Sequence, residues 1–196
     1  MRPKLKICGV NDAAFAVRAA ELGADYLGFI FAAGSPRQVS VETAQALAAR
    51  VRAVSRTVKF VGVFTTAAVD EIAAVARAVG LDVIQLHRRA AAADSAALKA
   101  RGWEVWALAG SELPPCGVDA LMIDTSHGDG DRTVAPGDGT RLILAGGISA
   151  ANLPEVVDAG AYIIDVSGSL EDAPGVKSVR RLEALVAVYR RKTEAS

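Results

Sequence analysis

Eight short apolar runs of four to seven residues are separated by Ala-rich segments whose apolar positions recur every three to four residues, and this alternation continues along the whole chain. Short runs bounded by turn residues fit buried strands, and the periodic segments between them fit helices, so the chain reads as successive βα units. The expected strands are Lys4–Cys8, Tyr26–Phe31, Val58–Phe64, Val83–His87, Glu104–Ala109, Ala120–Asp124, Leu142–Ala145 and Tyr162–Val166. Helices are expected at Asp12–Leu22, Val41–Ala53, Ala67–Ala78, Ala93–Ala100, Ala150–Asp158 and Val176–Lys192, with Ser40, Thr66, Asp94 and Ser149 placed to cap otherwise unpaired amides. Gly110–Val118 and Thr125–Gly139 carry Pro and Gly without helical periodicity, so the crossovers after strands 5 and 6 are expected to be shortened or irregular, the second a mobile loop.

Hydrophobic residues make up 52% of the chain and aromatics only 5%, so the core must be built from Ala, Val, Leu and Ile, as in parallel sheets covered by helices. No linker, repeat or low-complexity segment divides the 196 residues, and one α/β domain over residues 1–196 is the simplest organisation. Strand pattern alone fits a closed (β/α)8 barrel or an open doubly wound sheet.

Charge is balanced at 22 basic and 22 acidic residues, and no run of like charges stands out that could neutralise a row of phosphates or dock on an anionic bilayer, which argues against nucleic acid or an anionic membrane as partner. Cys8 and Cys116 lie far apart without metal-ligand spacing, so neither a disulfide framework nor a metal site is signalled, and a reducing cytoplasm fits. The first residues are strand-like and meet an acidic residue early, unlike a signal peptide, and Tyr26–Gly34 is too short to span a bilayer. A soluble protein acting on a small molecule is expected; monomer and homodimer both remain open.

In either α/β architecture ligands bind at the C-terminal ends of the strands. Cys8 ends the first strand on the same face as Lys4 and Lys6, and Lys6 is expected to favour its thiolate; an isolated cysteine is otherwise more often a buried structural residue. Asp124 ends the sixth strand, where a carboxyl caps a turn or faces a ligand; opposite Cys8 it would complete an acid and base pair. The Gly-rich turns containing Gly146 and Gly147 after strand 7, and Ser167 and Gly168 after strand 8, offer backbone amides to a phosphate at a helix N-terminus. Arg37, in a loop after strand 2, has the fork geometry to take a carboxylate. Gln85 and His87 share one face of strand 4, where a lone His is more often structural; Asp165 lies on strand 8, and His127 is expected to be exposed.

The stretches KICGV, GADYLGFIFAAGSPRQVS, KFVGVF, VIQLH, LMIDT, LAGGISAANL, DVSGSLE and PGVKS occur in this order, and together they resemble the phosphoribosylanthranilate isomerases. The resemblance implies a single (β/α)8 TIM barrel and a cofactor-free Amadori rearrangement of N-(5-phosphoribosyl)anthranilate to 1-(2-carboxyphenylamino)-1-deoxyribulose 5-phosphate, in tryptophan biosynthesis. It implies Cys8 as general base, Asp124 as general acid and Arg37 as the contact for the anthranilate carboxylate. A base at neutral pH calls for a thiol lowered from its ordinary value of about 8.5, with Lys6 the expected cause.

The chain departs from the family pattern at three loops. Arg88 and Arg89 follow QLH where the family carries Gly and an acidic residue; SHGDGDRTVAPGD follows strand 6 in place of a Gly-rich turn and FDW; and SGSLE replaces SSGVE. These differences keep two alternatives in view: a diverged paralog acting on another phosphorylated aminosugar, and a catalytically silent barrel that only binds a sugar phosphate. A third alternative is Schiff-base chemistry on Lys4, Lys6 or Lys59.

Overall fold

The computed structural model describes residues 2–87, 91–109, 117–125 and 140–194. Eight parallel strands close into a barrel in sequence order: β1 (Lys4–Cys8), β2 (Tyr26–Ile30), β3 (Lys59–Phe64), β4 (Val83–Leu86), β5 (Glu104–Leu108), β6 (Ala120–Asp124), β7 (Arg141–Ala145) and β8 (Ile163–Val166). Each strand lies within one residue of its expected bounds. The closing pair sets Lys6 beside Asp165 and Ile7 beside Val166, so β8 hydrogen-bonds to β1 and no edge is left open. The open-sheet alternative is thereby excluded.

Among the described residues six helices cover the barrel: α1 (Ala13–Glu21), α2 (Val41–Val54), α3 (Val69–Val79), α4 (Ala92–Ala100), α5 (Leu153–Asp158) and α6 (Val179–Glu194). Ser40 caps α2 as expected, its Oγ accepting from the Thr43 amide at 3.2 Å. The other three expected caps are corrected. Residue Thr66 lies upstream of α3, where Glu71 reaches back to the Ala68 amide at 3.0 Å. Asp94 lies inside α4, and Ser149 instead donates its amide to Asn152 Oδ1 at 2.8 Å, with Asn152 preceding α5. Apolar periodicity identifies the buried face of a helix but not its first turn, which local hydrogen bonds decide.

The last helix also starts later than Val176. After β8 the chain makes a short 3₁₀ turn, Gly168–Leu170, and then an antiparallel hairpin, β9 (Glu171–Ala173) with β10 (Val176–Lys177). Gly175 turns this hairpin at φ +81°, and a Cβ there would stand 2.3 Å from the Pro36 carbonyl oxygen. The turn at Pro174-Gly175 leaves Val176 and Lys177 extended in the returning strand, so the helix begins only at Val179. The segments expected as shortened crossovers, together with Cys116, His127, Arg88 and Arg89, lie wholly or mostly outside the described residues.

Alternation along each strand sends Leu5, Ile7, Leu27 and Phe29 outward to the helices, while Tyr26, Val61, Val83, Trp106, Ala120, Met122, Ile143 and Ile163 pack together inside the barrel. Inward residues of alternate strands form layers of four, as an eight-stranded barrel requires. Charged residues close the N-terminal mouth. Glu104 accepts from Arg141 Nη2 at 2.6 Å and from Trp106 Nε1 at 2.5 Å, with Lys59 Nζ at 3.8 Å.

Trp106 is fully buried and meets the Tyr26 ring edge-on at 5.0 Å, so it fills much of the inner core. Trp106→Ala is expected to cost about 3–5 kcal/mol of unfolding free energy, measured by urea titration, through the cavity left and the hydrogen bond to Glu104 lost.

Candidate active site

A cavity of about 640 Å³ opens at the C-terminal ends of the strands. Its wall includes Cys8 from β1, Arg37 from the loop after β2, Gln85 and His87 at the end of β4, and Asp124 from β6. Gly146 and Gly147 follow β7, Asp165 lies on β8, and Ser167 and Gly168 follow it. All ten candidate residues thus face one space, although they come from six separate stretches of sequence.

Cys8 is 7% exposed at the end of β1, and a tight contact places its thiol. Gly28 is its register partner on β2, and a Cβ on Gly28 would lie 3.1 Å from Cys8 Sγ and 3.3 Å from Lys6 Nζ. The missing side chain leaves room for the thiol and the ammonium to stand together. Lys6, fully buried, donates to Asp165 Oδ2 at 2.7 Å. Burial alone would strip the proton from this lysine, but the charges of Asp165 and Cys8 and their hydrogen bonds outweigh it and hold the pKa above its ordinary value.

The thiol responds in the direction opposite to expectation. Burial pushes Cys8 up and the Asp165 carboxylate adds to the rise, while Lys6 and Lys177 pull down without overcoming it. The expected lowering is therefore corrected: Lys6 does favour the thiolate, but much of its charge is already committed to Asp165. The Schiff-base alternative meets the same obstacle, since Lys6 is a paired ammonium, while Lys4 and Lys59 sit at the first positions of β1 and β3, away from the cavity.

Asp124 closes the other side at the end of β6, with His87 Nε2 4.0 Å from Asp124 Oδ2, too long for a hydrogen bond. Across from them Arg37 makes a bidentate pair with Glu171, Nε to Oε1 at 2.7 Å and Nη2 to Oε2 at 2.8 Å. Its stem is held against Gly9, where a Cβ would stand 2.7 Å from Arg37 Cδ and φ is +72°. Glu171 also receives Lys177 Nζ at 2.8 Å and the Gly175 amide at 3.2 Å. Two of the five Arg37 N–H groups are spent on Glu171, leaving others to address the cavity.

Glu171 and Lys177 escaped the sequence reading. Their only signal is the placement of two charges on either side of a Pro-Gly turn, in a stretch that resembles a helix start. Burial alone would raise the Glu171 carboxyl, but hydrogen bonds from Arg37 and Lys177 carry it down to about 2.

The two Gly-rich turns lie side by side at the rim. Gly146 and Gly147 have φ of +88° and +61°, and Asn152 Nδ2 donates to the Gly147 carbonyl at 3.0 Å. Ser169 Oγ donates to the Ile148 carbonyl at 2.6 Å, tying the β8 turn to the β7 turn, while Ser167 Oγ donates to the Cys8 carbonyl at 3.1 Å. α5 has six residues and begins at Leu153, beyond these glycines. The amides available to an anion here therefore belong to the turns rather than to a long helix.

A carboxyl lowered to about 2 in the fold stabilises it above its ordinary value near 4.5, and that stability is lost as pH falls from 4.5 toward 2. The contribution is of order 3 kcal/mol before the burial of Lys177 is set against it. The stability gap between the wild type and Glu171→Gln should be widest near neutral pH and shrink over that window, as read by denaturant unfolding at a series of pH values.

The model of the family described as N-(5'-phosphoribosyl)anthranilate (PRA) isomerase matches residues 5–188. An N-(5'-phosphoribosyl)anthranilate isomerase of Citrifermentans bemidjiense is 34% identical, over 94% of this chain and 95% of the relative. The crystal structure of phosphoribosyl anthranilate isomerase from Thermus thermophilus superposes with a TM-score of 0.82 at 33% identity, covering 96% of this chain and 98% of that one. A phosphoribosyl anthranilate isomerase in complex with reduced 1-(o-carboxyphenylamino)-1-deoxyribulose 5-phosphate gives a TM-score of 0.80 at 25% identity, covering 96% and 99% of the two chains. With the family model spanning nearly all of the barrel and relatives similar end to end, the chain belongs to the N-(5'-phosphoribosyl)anthranilate isomerase family.

Proposed function

We propose that this chain isomerises N-(5-phosphoribosyl)anthranilate to 1-(2-carboxyphenylamino)-1-deoxyribulose 5-phosphate in tryptophan biosynthesis, with Cys8 as general base and Asp124 as general acid. The observation that carries the reading is that Cys8 and Asp124 face one cavity from strands three places apart around the barrel. A group able to give a proton and one able to take it can then act on two sides of a small substrate.

In this reading Asp124 protonates the furanose ring oxygen as the bond from that oxygen to C1 breaks and the anilino nitrogen forms a Schiff base. The Cys8 thiolate then takes the proton from C2, the electron pair moves to the nitrogen, and the resulting enolamine tautomerises to the ketone as C1 gains a proton. No atoms enter or leave overall, and each step is a proton transfer that one acid and one base can carry out. Arg37, held by Glu171, offers its remaining N–H groups to the anthranilate carboxylate. The paired turns at Gly146, Gly147, Ser167 and Gly168 take the phosphate, and Gln85, His87 and Asp165 meet the sugar.

The raised thiol fixes the sign of the pH dependence. A base that is mostly protonated at neutral pH makes kcat/KM increase with pH until Cys8 ionises, above the ordinary thiol range. The test is the loss of anthranilate-type fluorescence when freshly generated substrate meets the purified protein. Cys8→Ser and Asp124→Asn should each slow it by about 10²–10⁴-fold while the fold is retained. No loss above the spontaneous rate from folded wild type, with stabilisation by phosphate unchanged in Cys8→Ser, would instead identify a silent sugar-phosphate binder. Turnover of a ribosylamine phosphate lacking the carboxylate, little affected by Arg37→Ala, would identify a paralog.

A further inference from the structure

The layer of the barrel just beneath the cavity is unlike the others. Its four positions, one from each even-numbered strand, are Gly28, Gln85, Met122 and Asp165, and the last three line the cavity floor. Gln85 is 2% exposed and Asp165 7%, yet Gln85 Oε1 and Asp165 Oδ1 are without a hydrogen-bond partner. Among the described residues they are the buried side-chain polar atoms left in this condition. An unpartnered buried acceptor costs about 1–3 kcal/mol, so two in one layer at the base of a binding cavity call for a ligand that brings donors.

The orientation of each acceptor is set by what its other atom does. Gln85 Nε2 stands 3.2 Å from Met122 Sδ, and a thioether accepts but cannot donate, so the amide must turn its nitrogen to the sulfur and its oxygen away. Asp165 spends Oδ2 on Lys6 at 2.7 Å and leaves Oδ1 open. Gln85 and Asp165 come from β4 and β8, which lie opposite each other in the eight-stranded ring. The fourth position, Gly28, has no side chain, and its space is taken by Cys8 Sγ and Lys6 Nζ. The reacting thiol thus borders the same floor.

We infer that Gln85 and Asp165 form a hydroxyl-reading floor, two acceptors that take hydrogen bonds from the pentose hydroxyls on C2, the carbon from which Cys8 removes a proton, and on its neighbour C3. The inference rests on the isomerase reading for the identity of the sugar. It adds a source of specificity: a pentose lacking either hydroxyl leaves a buried acceptor unpaired, a penalty that an apolar pocket could not impose. The paired carboxylate and thiol environment remains intact when only Gln85 is altered, whereas replacing Asp165 would also strand the Lys6 charge. Gln85 is accordingly the residue to vary.

The test is calorimetric binding of reduced 1-(o-carboxyphenylamino)-1-deoxyribulose 5-phosphate beside its forms lacking the C2 or the C3 hydroxyl, which needs no turnover. Wild-type protein should bind each deoxy form at least about tenfold more weakly than the parent. Gln85→Met should reduce the discrimination against one of the two to within about threefold and leave the other in place. Both deoxy forms binding wild type within threefold of the parent would overturn the inference and leave water as the partner of these acceptors. Discrimination against both persisting in Gln85→Met would remove Gln85 from it. If Gln85→Met does not fold, the wild-type ratios decide alone, and no binding of the parent by wild type would sink the isomerase reading together with this subsite.

Discussion

An eight-stranded barrel closed by β1 pairing with β8 has an interior too narrow for anything but side chains, and those side chains arrive in layers because each strand turns every second residue inward. This constraint decides where polarity can be placed. The N-terminal mouth is open to water and tolerates Lys59, Glu104 and Arg141 as an ion-paired plug. The layers above it are apolar around Trp106, apart from Lys6, and chemistry is confined to the C-terminal mouth. Lys6, Gln85 and Asp165 break the apolar rule in mid-barrel; Lys6 and Asp165 stand beside Cys8, and Gln85 faces them from β4 across the barrel.

Burying Lys6 and Asp165 is expensive, and the pair stands only because each is the other's partner at 2.7 Å; removing one would leave a buried charge costing about 3–5 kcal/mol. A well-packed apolar pair would serve stability as well or better. The use of the pair therefore lies in the site. Three cations, Lys6, Arg37 and Lys177, and two carboxylates, Asp165 and Glu171, surround or border Cys8, a surplus of one positive charge while the thiol is protonated. Ionising the thiol neutralises that surplus. Burial raises the thiol and the cations oppose it, which makes Cys8 a stronger base when ionised than a thiol whose proton is lost cheaply.

Much of this architecture was legible in the sequence because it rests on local periodicity. The strands were readable to within a residue, since buried parallel strands are short apolar runs with turn residues at both ends, and Cys8, Asp124 and the glycine turns were readable from their place at strand ends. The misreadings at Thr66, Asp94, Ser149 and Val176 share one cause. At each, a side-chain or turn contact over a few residues, such as Glu71 reaching Ala68 or Gly175 fitting against Pro36, overrides a pattern that averages over many. The direction of the thiol shift was misread because position along β1 put Lys6 near Cys8 but disclosed neither how completely the thiol is buried, the largest cause of the rise, nor Asp165, which adds to it from the far end of the chain.

Arg37, which lines the cavity, shows how little of a side chain's setting its place in the sequence discloses. A loop arginine free to move would lose rotamer entropy on meeting a carboxylate, and a screened surface contact returns little. Here Glu171 grips two edges of the guanidinium, Gly9 backs the stem, and Lys177 with the Gly175 amide holds Glu171 in turn. The guanidinium is therefore fixed before any ligand arrives, and its surviving donors point in a direction set by the hairpin β9–β10 rather than by the loop that carries it. A carboxylate bound by such an arginine meets a preformed fork, so more of the hydrogen-bond energy remains as affinity. The same hairpin closes around Ser167 through Lys177, which donates to its carbonyl at 3.1 Å, so the arginine and the turn after β8 are positioned by one rigid element. A hairpin too short to read as structure thus sets the position of the arginine and of the turn after β8 together.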